Sequence, residues 1–207
     1  MNFRSRRKPS CEVWVSCKRF SAIVLAAGGS SRLGKPKQLI PWRGTTLLSY
    51  TIAEIEKSGM RDIILVLGAS SEAIQNSIDN KGLRIVINPN WKSGKASSIN
   101  TGINVLDAET EWAMIFLCDQ PYISADLVKC LLKAGQGSQA SIIAPDVNGE
   151  PSNPVLFKNN TFKAFSELKG EEGGKKLFEQ FKMELIPWQD ERILMDVDTL
   201  EDLQHLN

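Results

Sequence analysis

The stretch Ser21–Leu39, SAIVLAAGGSSRLGKPKQL, constrains this chain more than any other. Ala22 to Ala27 is a continuous apolar run, too short for a helix and without the polar alternation of a half-exposed strand. It predicts a strand buried on both faces, inside a sheet covered by helices. Gly28-Gly29-Ser30-Ser31 follows at once. With no Cβ in the way, backbone N–H groups there can come close to an anion. Arg32, Lys35 and Lys37 place three cations just behind the loop. This combination suits the polyphosphate of a nucleotide, although the same residues also describe a glycine turn with solvated cations beside it.

Two common phosphate patterns do not fit. Gly29, Gly34 and Lys35 have the spacing of GxxxxGK[ST], but the next residue is Pro36. Proline offers no hydroxyl to Mg²⁺ and disfavours helical geometry at Lys35, where such a helix should begin. The dinucleotide pattern GxGxxG is absent, because Gly28, Gly29 and Gly34 are wrongly spaced.

Downstream, Thr46 caps a predicted helix over 47–58 that stops at Gly59. Ile63–Leu67 reads as a second buried strand, 71–79 as a short helix and Leu83–Ile87 as a third strand. Further strands are expected at Trp112–Leu117, at 140–144 and at Ile193–Met195, with a helix over 124–133 and a C-terminal helix opened by Thr199. Strands alternating with helices predict an α/β fold, a mostly parallel sheet with helices on both faces. In such sheets ligands bind outside the carboxyl ends of the strands.

The polar clusters fall at those ends. Asn88 to Ser98 makes a turn and opens an amphipathic helix running to about residue 106. Its N-terminal N–H groups and the Ser97 and Ser98 hydroxyls suit a nucleotide's phosphates or polar edges, or the hydroxyls cap the helix. Asp119, after the strand at 112–117, is placed to hold Mg²⁺, a hard ion that takes few protein oxygens and keeps phosphate and water as its other ligands. The alternative is an Asp that begins a turn before Pro121. Asp196 and Asp198 share a face of an extended segment and can point together; alternatively Asp198-Thr199 is a helix cap.

Charge and rare residues narrow the classes. The total is +1, but residues 1–20 carry six cations against Glu12, a net of +5, which leaves −4 for the remainder. A mildly acidic body argues against a nucleic-acid surface. No apolar run reaches the roughly 18 residues of a membrane helix, and the basic N-terminus lacks the apolar core of a signal peptide. We expect a cytoplasmic protein with a disordered extension over 1–20 and one domain over 21–207, a length that allows a well-buried core. Cys11, Cys17, Cys118 and Cys130 form no CxxC pair and are expected to be reduced. With His205 the single histidine, poly-His zinc sites and Ser-His-Asp triads have almost no material.

The string from Leu25 to Lys37 also resembles a specific signature, L-A-A-G-x-S-x-R-x-G-x-P-K, of the MobA-like nucleotidyltransferases, closest to molybdenum cofactor cytidylyltransferases. The resemblance implies a three-layer α/β/α, Rossmann-like (GT-A-like) nucleotidyltransferase fold. It implies that Leu25, Ala26, Ala27, Gly28, Gly29 and Ser30 wrap the nucleoside triphosphate and that Arg32 and Lys37 contact its phosphates. NPxWxxGxxSS, here Asn88–Ser98, is similar to a family segment near the nucleotide, which brings in Gly94, Ser97 and Ser98. Asp119-Gln120-Pro121 resembles the family's metal-binding D-Q-P, and Asp196-Val197-Asp198-Thr199 its D-I-D-T, which implies a second metal carboxylate there, Asp198 as the ligand with Asp196 the substitute.

Two further motifs resemble the acceptor half and depart from it. Gly149–Phe157 is similar to G-x-x-G-N-P-V-L-F, with Asn153 and Pro154 kept but Ser152 in place of the second glycine. Leu168–Lys175 is similar to L-x-G-D-x-G-G-R; Gly173 and Gly174 are kept, Glu171 replaces Asp and Lys175 replaces Arg. Lys cannot reproduce the planar two-pronged grip of Arg. These departures bear on the identity of the acceptor.

The implied activity is transfer of CMP from CTP to the phosphate of a molybdopterin–Mo acceptor, with Mg²⁺ as cofactor and release of pyrophosphate. Ala26-Ala27-Gly28 matches the cytidylyl-transferring members, whereas the guanylyl-transferring ones usually carry A-G-G. Transient contact with a molybdoenzyme or its chaperone is implied as well. Two alternatives stand beside this reading: the same transfer to a sugar phosphate or another phosphorylated metabolite, and a molybdopterin carrier without catalysis.

Overall fold

The computed structural model describes residues 20–30, 34–199 and 201–202. In chain order the elements are β1 (Phe20–Ala26), a small ribbon of β2 (Pro41–Trp42) and β3 (Thr45–Thr46), α1 (Leu47–Lys57), β4 (Asp62–Leu67), α2 (Ser71–Gln75) and β5 (Leu83–Ile87). Then come α3 (Lys95–Ile103), β6 (Trp112–Leu117), α4 (Ala125–Gly137), β7 (Ile142–Val147), β8 (Glu150–Pro151), β9 (Val155–Lys158) and β10 (Met183–Pro187). Short 3-10 turns supply much of the rest, the longest over Asn159–Glu167.

The sheet runs in the order β10-β7-β9-β6-β1-β4-β5, with β8 paired to β7. β5, β4, β1 and β6 are mutually parallel, and β10 is parallel to β7. β9 lies antiparallel to both of its neighbours, β6 and β7. The sheet is therefore mixed but mostly parallel, as the alternation of strands and helices predicts.

β1 is buried along its whole length, and its side chains alternate between two cores. Ala22, Val24 and Ala26 face one, with Leu48, Ile52 and Ile55 of α1 and Leu127 and Leu131 of α4. Ile23 and Leu25 face the other, with Ala96 and Ile99 of α3 and Phe157 and Phe165 beyond. Burial of the large side chains of β1, Phe20, Ile23, Val24 and Leu25, is worth about 1.5–3 kcal/mol each. That fixes β1 as the axis of a three-layer structure.

Several boundaries differ from expectation. α2 is five residues long and stops well before residue 79, whereas α4 continues past 133 to Gly137. β7 begins at Ile142 and extends to Val147, two residues later than expected at its start. Ile193–Met195 is not a strand. Glu191–Leu194 forms a 3-10 turn in which Asp190 accepts a hydrogen bond from the Arg192 N–H, and Leu194 stands half exposed. The local turn takes the amides of this stretch instead: the Ile193 N–H donates to the Asp190 carbonyl and the Met195 N–H to the Arg192 carbonyl. The outer strand is Met183–Pro187, which the sequence reading did not propose. Most of the expected C-terminal helix and residues 1–19, with Cys11 and Cys17, lie outside the described residues, as does His205. Among the described residues no helix is long and apolar enough to cross a membrane.

Candidate active site

The chain runs from β1 outward through β4 to β5, then returns to the other flank of β1 as β6. The point between β1 and β6 is where the strand order reverses, and such a point leaves a crevice at the carboxyl ends. In the register Leu25 lies beside Leu117. The glycine turn and Cys118-Asp119 therefore emerge side by side.

Lys37 joins them. It opens a short 3-10 turn, Lys37–Leu39, directly after Pro36, and its backbone N–H donates to the Ser30 hydroxyl at 3.0 Å. The next residue, Gln38, is fully buried, and its Nε2 donates to the carbonyls of Ala26 (2.8 Å) and Gly28 (3.1 Å). Gln38 thus holds both ends of the turn. The sequence reading did not single it out; the signal was a polar side chain beside the motif's last lysine.

The Lys37 ammonium donates to the Asp119 carboxylate and, at 3.1 Å, to Asp198 Oδ1. Lys37 and Asp119 are both largely buried, with 16% and 18% of their side chains exposed. Burial opposes the charge on Lys37, but Asp119 beside it, with a smaller contribution from Asp198, holds the ammonium well above its ordinary range. The Cys118 thiol is pushed up to about 12, first by burial and then by the Asp119 charge. It is a packing residue and carries no nucleophile.

Asp198 reaches this place without a strand to carry it. The Val197 N–H donates to the Asp119 carbonyl at 2.8 Å, and the Val197 side chain is fully buried. Anchoring Val197 in this way leaves its neighbours, Asp196 and Asp198, to line the cleft. Asp196 accepts from Gln120 Nε2 at 2.9 Å, and its carboxyl is raised above the ordinary range, first by burial and then by Asp119.

The cleft holds about 500 Å³. Leu25, Ala27, Gly28, Gly29, Lys37, Gly94 and Ser98 line it with the three aspartates, as do Trp91, Lys92 and Lys95, which the sequence reading did not select. Three other expected nucleotide residues serve its frame. Ala26 is buried and offers its carbonyl to Gln38, and Ser30 receives the Lys37 N–H. The Ser97 hydroxyl donates toward the carbonyls of Gly94 and Asn90, so it holds the turn before α3. Arg32 lies outside the described residues.

A second cavity of about 210 Å³ adjoins the first, and both share Leu25, Lys95, Leu117 and Glu171. Its floor is apolar, built on Ile115, Val155, Phe157 and Phe178, while Asn153, Gly173, Gly174 and Lys175 line its polar side. Two of the expected glycines are required by close approaches. Gly94, at φ +106°, faces Gly170, where any Cβ would collide with the Gly170 backbone; the Gly170 carbonyl accepts from the Ala96 N–H at 3.0 Å. A Cβ on Gly174 would collide with the Phe157 ring. The Leu168–Lys175 loop is thereby clamped between α3 and β9. The Asn153–Pro154 peptide is cis, and Pro154 does not line either cavity.

The donor set fits a hard divalent ion. Asp119 spends one oxygen on Lys37, while its Oδ1 is buried without a hydrogen-bond partner in the protein. An unpaired carboxylate oxygen in such a place costs free energy that a cation would recover. Among the described residues no three His, Cys, Asp or Glu side chains converge to cage an ion unaided. An ion here would complete its shell with phosphate oxygens and water, the usual habit of Mg²⁺.

The sequence profile described as "MobA-like NTP transferase domain" matches residues 22–185. The chain is 29% identical over 195 residues to the nicotine blue oxidoreductase of Paenarthrobacter nicotinovorans, covering 90% of this chain and 95% of that protein. It is 30% identical over 148 residues to a probable molybdenum cofactor guanylyltransferase of Bacillus cereus (strain AH820), covering 70% of each. Among solved structures, Rv0371c of Mycobacterium tuberculosis H37Rv in complex with manganese superposes with a TM-score of 0.78 at 23% identity, over 91% of this chain and 97% of that one.

Proposed function

The chain belongs to the MobA-like NTP transferase family, and within that family of molybdenum cofactor nucleotidyltransferases we propose that it transfers CMP from CTP to the phosphate of a molybdopterin-type acceptor, with Mg²⁺ as the ion and pyrophosphate as the product. The observation that carries the reading is the convergence of Asp119 and Asp198 on Lys37, beside a glycine turn at the strand-order reversal.

A divalent ion held by Asp119 and Asp198 would neutralise triphosphate charge and fix the orientation of the phosphates. The remaining work falls to the chain's own groups. Backbone N–H groups at Gly28 and Gly29 and the cations Lys37, Lys92 and Lys95 face the triphosphate; the family signature assigns Arg32 the same task, though it lies outside the described residues. Stabilising the departing pyrophosphate in this way is electrostatic catalysis by groups already in place. The acceptor enters the adjoining cavity with its phosphate toward the shared wall of Lys95 and Glu171. Its oxygen is ionised near neutral pH, so in-line attack needs alignment rather than a strong base. That agrees with a site lined by carboxylates and ammonium groups.

Asp119→Ala tests the assignment. It should lower the rate of pyrophosphate release by at least about 10²–10³-fold, the cost of removing one preorganised charge-stabilising group, with an unchanged circular dichroism spectrum. Near-normal turnover would remove Asp119 from the chemistry. The relative known as a nicotine blue oxidoreductase motivates one control, a search for reductant consumption without pyrophosphate; that result would replace the transfer reading.

A further inference from the structure

Ile40, Trp42, Leu47, Tyr122 and Val197 form a third apolar cluster, apart from the two cores that flank β1, with Tyr50 and Met195 packed against it. Ile40 follows Lys37 by three residues, Tyr122 follows Asp119 by three, and Val197 precedes Asp198 by one. The three segments that carry the candidate chemistry therefore meet in a core of their own. We propose that Trp42 is a positioning residue for this site: from the β2–β3 ribbon it holds the Asp119 segment in register with Lys37 and Asp198, and Arg43 pins it there. The inference rests on the metal reading given above and adds to it the residues that set the geometry of the carboxylates.

Three observations support the role. First, Trp42 touches the Asp119 segment by a polar and an apolar contact. Its Nε1 donates to the Pro121 carbonyl at 3.0 Å in a buried bond, and its ring meets Tyr122 edge to face at 5.3 Å. Second, the connection continues to the terminal aspartates. The Val197 side chain is fully buried in the same cluster and its N–H donates to the Asp119 carbonyl at 2.8 Å, so a shift of the Asp119 segment carries Asp198 with it. Third, the ribbon accepts backbone strain to make these contacts. Trp42 and Thr45 pair across a two-residue turn in which Arg43 and Gly44 stand at φ +46° and +80°. Glycine and asparagine adopt that left-handed conformation readily, and arginine does not. The Arg43 guanidinium is held by this cluster: it lies 5.1, 5.3 and 5.9 Å from the ring centres of Trp42, Tyr50 and Tyr122, and its Nη1 donates to the Tyr50 hydroxyl at 2.8 Å. A strained residue persists where its surroundings over-determine it, and such residues gather beside functional sites.

The glycine turn has its own support, since Gln38 holds it through the carbonyls of Ala26 and Gly28. Loosening Trp42 should therefore displace the carboxylates and leave the seat of the phosphates in place. Groups that orient metal ligands from behind typically carry about 10- to 100-fold in metal affinity or activity. The signature of the role is thus a loss of kcat and of metal affinity with no matching loss in triphosphate binding.

The test is Trp42→Phe, which keeps an aromatic ring in the cluster and removes the bond to Pro121, beside Ile143→Val, a substitution at a fully buried position of β7. Each full-length variant is titrated with Mn²⁺ in the presence of an α,β-methylene analogue of CTP, following free ion by electron paramagnetic resonance. Pyrophosphate release from CTP and molybdopterin cofactor is then measured at saturating Mg²⁺. Trp42→Phe should bind Mn²⁺ at least about tenfold more weakly than wild type and lose about 10- to 100-fold in kcat, with KM for CTP changed less than about twofold. Ile143→Val should lower the thermal midpoint and match wild type in Mn²⁺ affinity and kcat. If Trp42→Phe does not fold, Arg43→Gly at the exposed tip of the ribbon carries the test: it relieves the turn, removes the pin and should weaken Mn²⁺ binding several-fold. Wild-type Mn²⁺ affinity and kcat in whichever variant is folded would overturn the positioning role and leave the metal site standing. Equal losses in Trp42→Phe and Ile143→Val would make Trp42 a packing residue and overturn it too. Weaker Mn²⁺ binding in Trp42→Phe, with no pyrophosphate released even by wild type, would support the positioning role and contradict the transfer reading. Failure of wild type to bind Mn²⁺ with the analogue present would overturn the role and the metal assignment together.

Discussion

The two adjoining cavities are built by different means. The larger cleft stands on β1 and β6, central parallel strands of the sheet; Gln38 ties the glycine turn through the carbonyls of Ala26 and Gly28, and Lys37 links Ser30, Asp119 and Asp198. The second cavity stands on β9, the strand antiparallel to its neighbours, and on a loop held by glycine contacts with α3 and Phe157. Topology thus sets the first site, and packing of irregular segments shapes the second. On the function proposed above, the transfer chemistry falls in the fixed part of the molecule and the choice of acceptor in the adjustable part. Of the departures from the family pattern, Lys175 lines the second cavity alone, Glu171 lies in the wall the two cavities share, and Ser152 is buried just before β9.

This contrast has measurable consequences. Changes in the triphosphate cleft should lower turnover with every acceptor alike. Asp198→Ala is expected to cost about 10²–10³-fold in kcat, as for loss of a preorganised electrostatic group, irrespective of acceptor. A loss confined to one acceptor would contradict the division. Gly174→Ala belongs to the other half. Its new Cβ meets the Phe157 ring, and overpacking of this kind costs about 1–3 kcal/mol of stability; denaturant unfolding should show it, with KM raised for the acceptor and little change for the nucleotide. Lys175→Arg should change acceptor affinity by a few-fold and leave nucleotide affinity unmoved, since a planar fork grips an anionic group differently from an ammonium.

Smaller effects concern pH. Asp196 has its carboxyl raised by burial and by Asp119, so the folded state disfavours its charge. That cost is absent while the group is protonated in both states and appears as pH rises through the folded value. Asp196→Asn should therefore raise the thermal midpoint at neutral pH, and the gain should vanish in acid. Lys37 behaves oppositely: its stabilising charge is complete below the ordinary lysine value and is lost only as pH rises beyond it. Thermal melts from about pH 6 to about pH 10 should show no transition from Lys37.

Much of the first site could be read in the sequence because it obeys local rules. A six-residue apolar run before glycines can be little other than a central strand, and Thr46 and Gly59 bound α1 as capping chemistry requires. What escaped reading depended on contacts distant in the chain. Gln38 is an ordinary polar residue until two carbonyls of the glycine turn are seen to need it. Gly170 meets Gly94 from 76 positions away, and no spacing rule connects them. The run Ile193–Met195 has the apolar character of a strand, yet its amides close a local turn, and a bond from the Val197 N–H to the Asp119 carbonyl brings the terminal aspartates into place. The half-exposed strand Met183–Pro187 is held by its pairing with β7 rather than by a pattern of its own.

The decisive measurement is pyrophosphate release with Mg²⁺, offering each of the four ribonucleoside triphosphates with molybdopterin cofactor, with a sugar phosphate and with no acceptor. Release that requires CTP and molybdopterin together is the predicted result. Release with CTP and a sugar phosphate alone would keep the transfer site and replace the acceptor. Binding of triphosphate with no release under any pairing would contradict the account and leave a nucleotide-binding fold without transfer chemistry.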